Sequence, residues 1–422
     1  MQRERADLLI IHAGELLTLR GGSHPRVGVE MNELGIIENG AAAIKNGTIC
    51  DVGTTEEILE RWSGYVVYAT DKVVMPGFVD CHTHAVFAGS RAHEYTAKIK
   101  GETYESQHRE KKGIFYTVEQ TRRAFEEELI DRGLKVLRQI LRHGTTTVEI
   151  KSGYGLDWPN EFKILNVIKK LQDLAHEQIT IIPTFLGAHA VPLEIEDHWD
   201  YIDLVVEMLV VVRQKGLAEF CDVFCDQLGF SRRSANYILM AAADLGFKLK
   251  AHLDQTSGAA GFTLINDFPL VSADHLDYTK LDEIAEDKRS FVAVLLPGVT
   301  YHLMEMKKKE FWENRAQEII SKGFAVALAT DYNPGSCPCF SMQAIMELAA
   351  RIYRMTPEQI INAVTINAAH ALCRGHEVGS LEIGKKADII ICDVSDYREL
   401  INSFGHNKVS TVIKNGRVVV NN

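Results

Sequence analysis

Eight apolar, strand-like runs recur through the middle of the chain: VVMPGFVDCHTH, GTTTVEIKSG, QITIIPTFLGAH, FCDVFCDQ, FKLKAHLD, FPLVSADHL, SFVAVLLPG and FAVALATD. Most are separated by segments of helical period. In EFKILNVIKKLQDLAHE, for example, Phe162, Leu165, Ile168 and Leu171 share one face. In TPEQIINAVTINAAHAL, Thr356 is placed to cap, Pro357 takes the first helical position and Gln359 completes a capping box. Strand and helix in alternation over this length predict an α/β fold, a (β/α)8 TIM-type barrel.

In such a barrel the chemistry sits at the carboxyl ends of the strands. Those ends carry His82 and His84, Glu149 and Lys151, His189, Asp226, His252, His275 and Asp331. Nearly every one can bind a metal or move a proton, where chance would leave many apolar. His82 and His84 are two residues apart, so on an extended strand both face the same side. Imidazoles at that spacing can take adjacent positions on one divalent ion. His252 and Asp331 would complete three imidazoles and a carboxylate, a set suited to zinc or ferrous iron. His275 fits either a further ligand or an unmetallated proton carrier. Each histidine alone is equally a satisfied core residue; the set of four is what points to a metal. Glu149 and Lys151 keep a binuclear centre conceivable, bridged by a carboxylated lysine.

The two ends of the chain have a different texture. ADLLIIHAGELLTL, GAAAIKNGTICDVG and GYVVYATDKVV read as short strands, and so do KKADIIICDV and VSTVIKNGRVVVNN. Each end holds a Lys-Asn-Gly, KNGT at one and KNGR at the other, whose Asn-Gly tolerates the positive φ of a tight hairpin turn. The expected organisation is a small composite β-sandwich domain formed by both termini, residues 1–74 and 375–422, around a barrel at 75–374.

Composition narrows the function classes. The 422 residues are 46% hydrophobic and 24% charged, with a formal net charge of −11. That balance argues against general nucleic-acid affinity. No run approaches the roughly 20 apolar residues of a membrane span, and the charged N-terminus does not read as a signal peptide. The eight cysteines form no CxxC pair, which predicts reduced thiols in the cytoplasm. Arg91, seven residues after His84, offers a planar fork suited to a carboxylate, although in isolation it fits a surface ion pair equally well.

The motifs PGFVDCHTHAVFAGSR, VEIKSGYGLD, TFLGAHAVP, SADHL and ALATDYNPGS together resemble the imidazolonepropionase family of the amidohydrolase superfamily. The resemblance runs over nearly the whole chain and includes GSLEIGKKADIII near its end. It implies hydrolytic opening of 4-imidazolone-5-propanoate to N-formimidoyl-L-glutamate in histidine degradation. It further implies one divalent metal ion, Zn2+ or Fe2+/Fe3+, on His82, His84, His252 and Asp331. Contacts to a small anionic heterocyclic substrate would come from Arg91, Tyr104, Tyr154, His189, Gln255, Asn333, Gly335 and Ser336. A homodimer is compatible with the resemblance.

Two positions depart from the family pattern. Gln255 stands where some members place a glutamate base, and an amide cannot accept the proton. That assigns proton transfer to Asp331, with His275 stabilising the oxyanion. Lys111 and Lys112 stand where a glycine-rich loop is expected. Alternatives are an amidohydrolase acting on another cyclic amide or on a heterocyclic amine, or a barrel that binds metal or ligand without turnover.

Overall fold

The computed structural model describes residues 3–21, 23–101, 113–258, 261–304 and 309–422. Two eight-stranded sheets organise them. The first is built from both ends of the chain: β1 (Glu4–Leu17), β2 (Ile36–Lys45), β3 (Thr48–Thr54), β4 (Trp62–Tyr68), β5 (Val73–Pro76), and later β14 (Ile389–Cys392), β15 (Val409–Lys414) and β16 (Arg417–Asn421). The strand order is β16-β15-β14-β5-β1-β2-β3, with β4 also paired to β1. Both Asn-Gly turns form as expected, with Asn46 at φ 52°, Gly47 at 77°, Asn415 at 47° and Gly416 at 74°. Ile10, Ile44 and Ile49 from one end share an apolar cluster with Ile389, Ile391 and Ile413 from the other. That shared cluster is what makes the terminal layer composite.

The second sheet is the barrel: β6 (Phe78–Asp80), β7 (Thr145–Lys151), β8 (Thr180–Ala188), β9 (Phe220–Cys225), β10 (Lys248–Leu253), β11 (Leu270–His275), β12 (Val292–Leu295) and β13 (Ala325–Leu328), paired in parallel in chain order. The run VVMPGFVDCHTH is therefore two strands. Val73–Pro76 belongs to the terminal sheet and Phe78–Asp80 opens the barrel.

Closure between the first and last barrel strands runs through backbone at candidate site residues. Asp331 N–H donates to His82 O at 2.9 Å, and His84 N–H to Tyr332 O at 3.0 Å. Below this seam, Asp80 accepts from the Thr330 amide at 3.0 Å and from its hydroxyl at 2.6 Å.

At the opposite end of the barrel, Lys414 of β15 donates to Thr146 O at 3.0 Å and Thr180 Oγ1 at 2.8 Å, and pairs with Asp388. The terminal sheet is thus pinned to the amino ends of β7 and β8, away from the site.

The Thr356 capping box is present, but the helix it starts ends at Ala363, and a second covers Ile366–His370. Between them the Thr365 hydroxyl bonds back to Ile361 O at 2.5 Å, and this residue leaves helical geometry. No helix among the described residues is long and apolar enough to cross a membrane.

Candidate active site

At the carboxyl ends of the barrel strands four side chains converge. Asp331 Oδ1 lies 3.4 Å from His82 Nε2 and 3.3 Å from His84 Nε2. The His252 ring centroid is 4.4 Å from that of His82. Among the described residues, His82 Nε2, His252 Nε2 and Asp331 Oδ1 are all buried without a hydrogen-bond partner. Ligand atoms about 2.0–2.1 Å from a tetrahedral ion stand about 3.3–3.4 Å apart, which is the spacing found here. The donor atoms of His82, His84 and His252 all fall within 4.8 Å of one another, and so do those of His82, His275 and Asp331. The cluster is compatible with one divalent ion.

Burial and Lys151 oppose a charge on His82, but Asp274 and Asp331 raise its pKa to about 9, so an ion bound at Nε2 takes the place of a proton. Burial drives the His84 pKa down to about 4 and lowers that of His275, keeping both imidazoles neutral. Burial alone would raise Asp331, but the adjacent imidazoles of His82 and His84 hold its carboxyl well below the usual range. His82 Nδ1–H donates to Asp274 Oδ2 at 2.6 Å, and His252 Nδ1–H to Asp222 Oδ1 at 3.0 Å. Each carboxylate fixes the tautomer that leaves Nε2 free for a metal. His275 and Asp331 adopt φ of 72° and 49°. Such left-handed backbone costs a non-glycine residue about 1–3 kcal/mol and concentrates at functional sites.

Lys151 does not line this cluster as a bridging ligand. It is fully buried, with Nζ 2.8 Å from Glu149 Oε2 and 2.7 Å from Asp222 Oδ2. Burial opposes its charge, but Asp222 and Glu149 raise its pKa, so it stays an ammonium. Carboxylation needs the neutral amine, and the binuclear alternative loses its bridge.

A pocket opens beside the cluster. Arg91, Tyr154, His189, Gln255, Asn333 and Ser336 line it, together with His275 and Asp331. Arg91 is 6% exposed; its Nε donates to Glu94 Oε2 at 2.8 Å, while Nη2 is buried without a partner among the described residues. A guanidinium held by one edge with a donor left over is prepared for an anion. Gly335 lies against that same guanidinium.

The other expected contacts are held from behind. The Glu161 carboxylate accepts from the amides of Gly153, Gly155 and Leu156 at 2.7–3.1 Å, fixing the loop that presents Tyr154. His189 donates from Nδ1 to Gly153 O at 3.0 Å and stacks on His84 with centroids 4.9 Å apart. Gly153, at φ 106°, has no room for a side chain: a Cβ would come within 2.9 Å of His189 Nδ1. Asp226 does not face the cluster as a strand-end catalyst. It accepts from the Thr256 and Ser257 amides at 3.0 and 3.4 Å, shaping the loop of Gln255.

The Asn333 amide is committed within its own loop. Its nitrogen donates to Asp331 O and Ser336 Oγ, both at 2.7 Å, and its oxygen accepts from the amides of Gly335 and Ser336. Ser336 Oγ in turn donates to Asp331 Oδ2 at 3.2 Å. Tyr104, Lys111 and Lys112 lie outside the described residues. Sequence reasoning did not single out Phe224 and Ile114, which also line the pocket, nor Asp222, Asp274 and Glu94 behind it.

An imidazolonepropionase of Geobacillus sp. (strain WCH70) is 44% identical over 422 residues, covering 98% of each chain. One from Alkaliphilus metalliredigens (strain QYMF) is 40% identical over 420 residues, again covering 98% of each. The chain belongs to the imidazolonepropionase family. The broader amidohydrolase family matches residues 249–419, from the barrel strand that carries His252, through His275 and Asp331, into the terminal sheet. Solved structures share the fold at low identity. A zinc-bound adenosine deaminase from Xanthomonas campestris superposes with a TM-score of 0.71 at 20% identity, over 99% of this chain and 93% of that one. A 5-methylcytosine deaminase from Klebsiella pneumoniae reaches 0.74 at 16% identity, over 98% and 97%. What sets this imidazolonepropionase-family site apart from a bare histidine–aspartate cluster is the arginine beside it.

Proposed function

We propose that this chain hydrolyses 4-imidazolone-5-propanoate to N-formimidoyl-L-glutamate in histidine degradation. One observation carries the reading: a buried guanidinium nitrogen shares a pocket with a cluster of imidazole nitrogens and a carboxylate oxygen, all without a hydrogen-bond partner among the described residues. The first suits a propanoate tail, the second a hydrolytic centre. The relatives at 39–44% identity support the same substrate.

In this reading His82, His84, His252 and Asp331 hold the ion, zinc or iron. Once bound it supplies Lewis-acid polarisation and an acidified water. Arg91, with Tyr154 and His189, holds the substrate carboxylate, and Gln255 contacts the ring. Asp331, through the carboxylate oxygen that does not hold the ion, takes the proton of the attacking water as the water oxygen bonds to the lactam carbonyl carbon. His275, neutral through burial, donates a hydrogen bond to the oxyanion that develops. Asp331 then delivers the proton to the ring nitrogen as the carbon–nitrogen bond breaks. Asn333 contributes through its loop, holding Ser336 against Asp331. The eight free thiols support a reducing cytoplasm as the compartment.

The deciding experiment is turnover of freshly generated imidazolonepropanoate by metal-replete protein, run beside hydantoins and aminated heterocycles. Hydrolysis of the imidazolone, abolished in Asp331→Asn, is the expected result. Preference for an aminated ring, or stoichiometric binding without turnover, overturns it.

A further inference from the structure

Two separate histidine–carboxylate pairs support the candidate metal cluster, and they arrive from different strands. Asp274, on β11, accepts from His82; Asp222, on β9, accepts from His252. In a low-dielectric interior two carboxylates near each other repel, and each would swing away unless something fixed it. Lys151 stands between them. Its ammonium is 2.7 Å from Asp222 Oδ2 and 3.7 Å from Asp274 Oδ2, and all three side chains have no exposure. Each carboxylate therefore uses both of its functions: Asp222 gives Oδ1 to His252 and Oδ2 to Lys151, while Asp274 Oδ2 is shared between His82 and Lys151.

Lys151 has a third carboxylate neighbour. Glu149 closes the third side at 2.8 Å, and Glu149 is itself held by Lys250 at 3.2 Å and the Thr184 hydroxyl. Lys250 also donates to Cys81 O at 3.0 Å, next to His82 in the chain. The Asp274 oxygen not used by His82 accepts from the Ser272 hydroxyl at 2.6 Å.

We infer that Lys151 is a positioning residue: a single buried ammonium ties together the two carboxylates that orient His82 and His252, so that both Nε2 atoms are presented to one ion in fixed register. This rests on the reading that these histidines hold a metal. It assigns the lysine of IKSGYGLD to a role behind the ligands.

The test uses the full-length protein loaded with Co2+, whose visible absorption reports ligand geometry, together with chelator competition for Zn2+ affinity. Lys151→Met should bind one ion with affinity lowered about 10–100-fold, the usual effect of losing support behind a metal ligand. Its Co2+ bands should be shifted and weakened even when the site is saturated. Lys151→Arg should recover part of both, because a guanidinium can span two carboxylates. Glu149→Gln touches Lys151 but no histidine, and should leave affinity within about threefold and the spectrum unchanged.

Should Lys151→Met not fold, the double variant Glu149→Gln/Lys151→Met removes a buried carboxylate with the ammonium and is expected to show the same spectral shift. Wild-type affinity and spectrum in a folded Lys151→Met or in the double variant overturn the inference. So does a loss in Glu149→Gln equal to that in Lys151→Met, which would make the effect one of general charge. Failure of the metal reading looks different: wild-type protein would bind no ion, or would bind it unaffected by His82→Ala and His252→Ala.

Discussion

The guanidinium of Arg91 lies against the backbone of Gly335: a Cβ built on Gly335 would come within 1.8 Å of Nη1 and 2.3 Å of Cζ. A glycine between Pro334 and Ser336 is thus required by an arginine that precedes it by more than two hundred residues. Glu94 holds the other edge of the same guanidinium and also accepts the Gly113 amide at 2.9 Å. The arginine is gripped from both sides.

Gly335→Ala is accordingly expected to spare the fold and damage binding. The clashing atoms are the far end of a flexible side chain, so Arg91 moves and the backbone does not. Losing a charge-assisted contact of about 1.5–3 kcal/mol corresponds to roughly a 10–150-fold rise in KM. kcat on saturating substrate should change much less. Steady-state kinetics with thermal unfolding checks both halves; an unchanged KM would mean that the guanidinium does not hold the tail.

Removing the ion should destabilise the protein as well as stop turnover. The cluster brings the Asp331 carboxylate and three imidazoles together in the interior. An ion present at a thousandfold excess over its dissociation constant contributes about 4 kcal/mol to the folded state. Dialysis against a chelator should therefore lower Tm by several degrees. Adding back Zn2+ or Fe2+ separately should restore both Tm and turnover, and the better of the two identifies the working metal. A Tm indifferent to chelation would count against a structural contribution from the ion.

Most of the barrel and the face of the site could be read from the chain because both are written locally. An apolar run ending in His252 or Asp331 states its own direction, and Asn46-Gly47 or Thr356 with Gln359 specifies a turn or a cap within four residues. What stayed hidden is written across the fold. Asp222 sits inside FCDVFC and Asp274 inside LVSADH, and nothing nearby says that they meet Lys151. His82 and Asp274 are 192 residues apart, and their pairing follows only from which strands are brought to face across the barrel. The commitment of Asn333 to its own loop is equally invisible, since an amide near a metal reads the same whether it faces substrate or backbone.

The last expectation concerns alkaline pH. Lys98 is 5% exposed and donates from Nζ to Gly335 O at 3.1 Å, under the loop that abuts Arg91. Burial, reinforced by Arg91 and opposed by Glu94, lowers its pKa to about 8. Protonated Lys98 adds positive potential beside the carboxylate site, so kcat/KM, which follows the free enzyme, should fall as pH rises through about 8. Stability should move the other way. The folded pKa lies below the unfolded value, so the charged lysine costs stability below about pH 8, and that cost fades as pH rises toward the ordinary lysine range. Lys98→Met should therefore have a higher KM at pH 7, lack this alkaline decline, and gain stability at neutral pH. A pH profile of kcat/KM for both proteins, with urea midpoints at pH 7 and 9.5, measures each sign; an alkaline limb unchanged in Lys98→Met would assign it to another group.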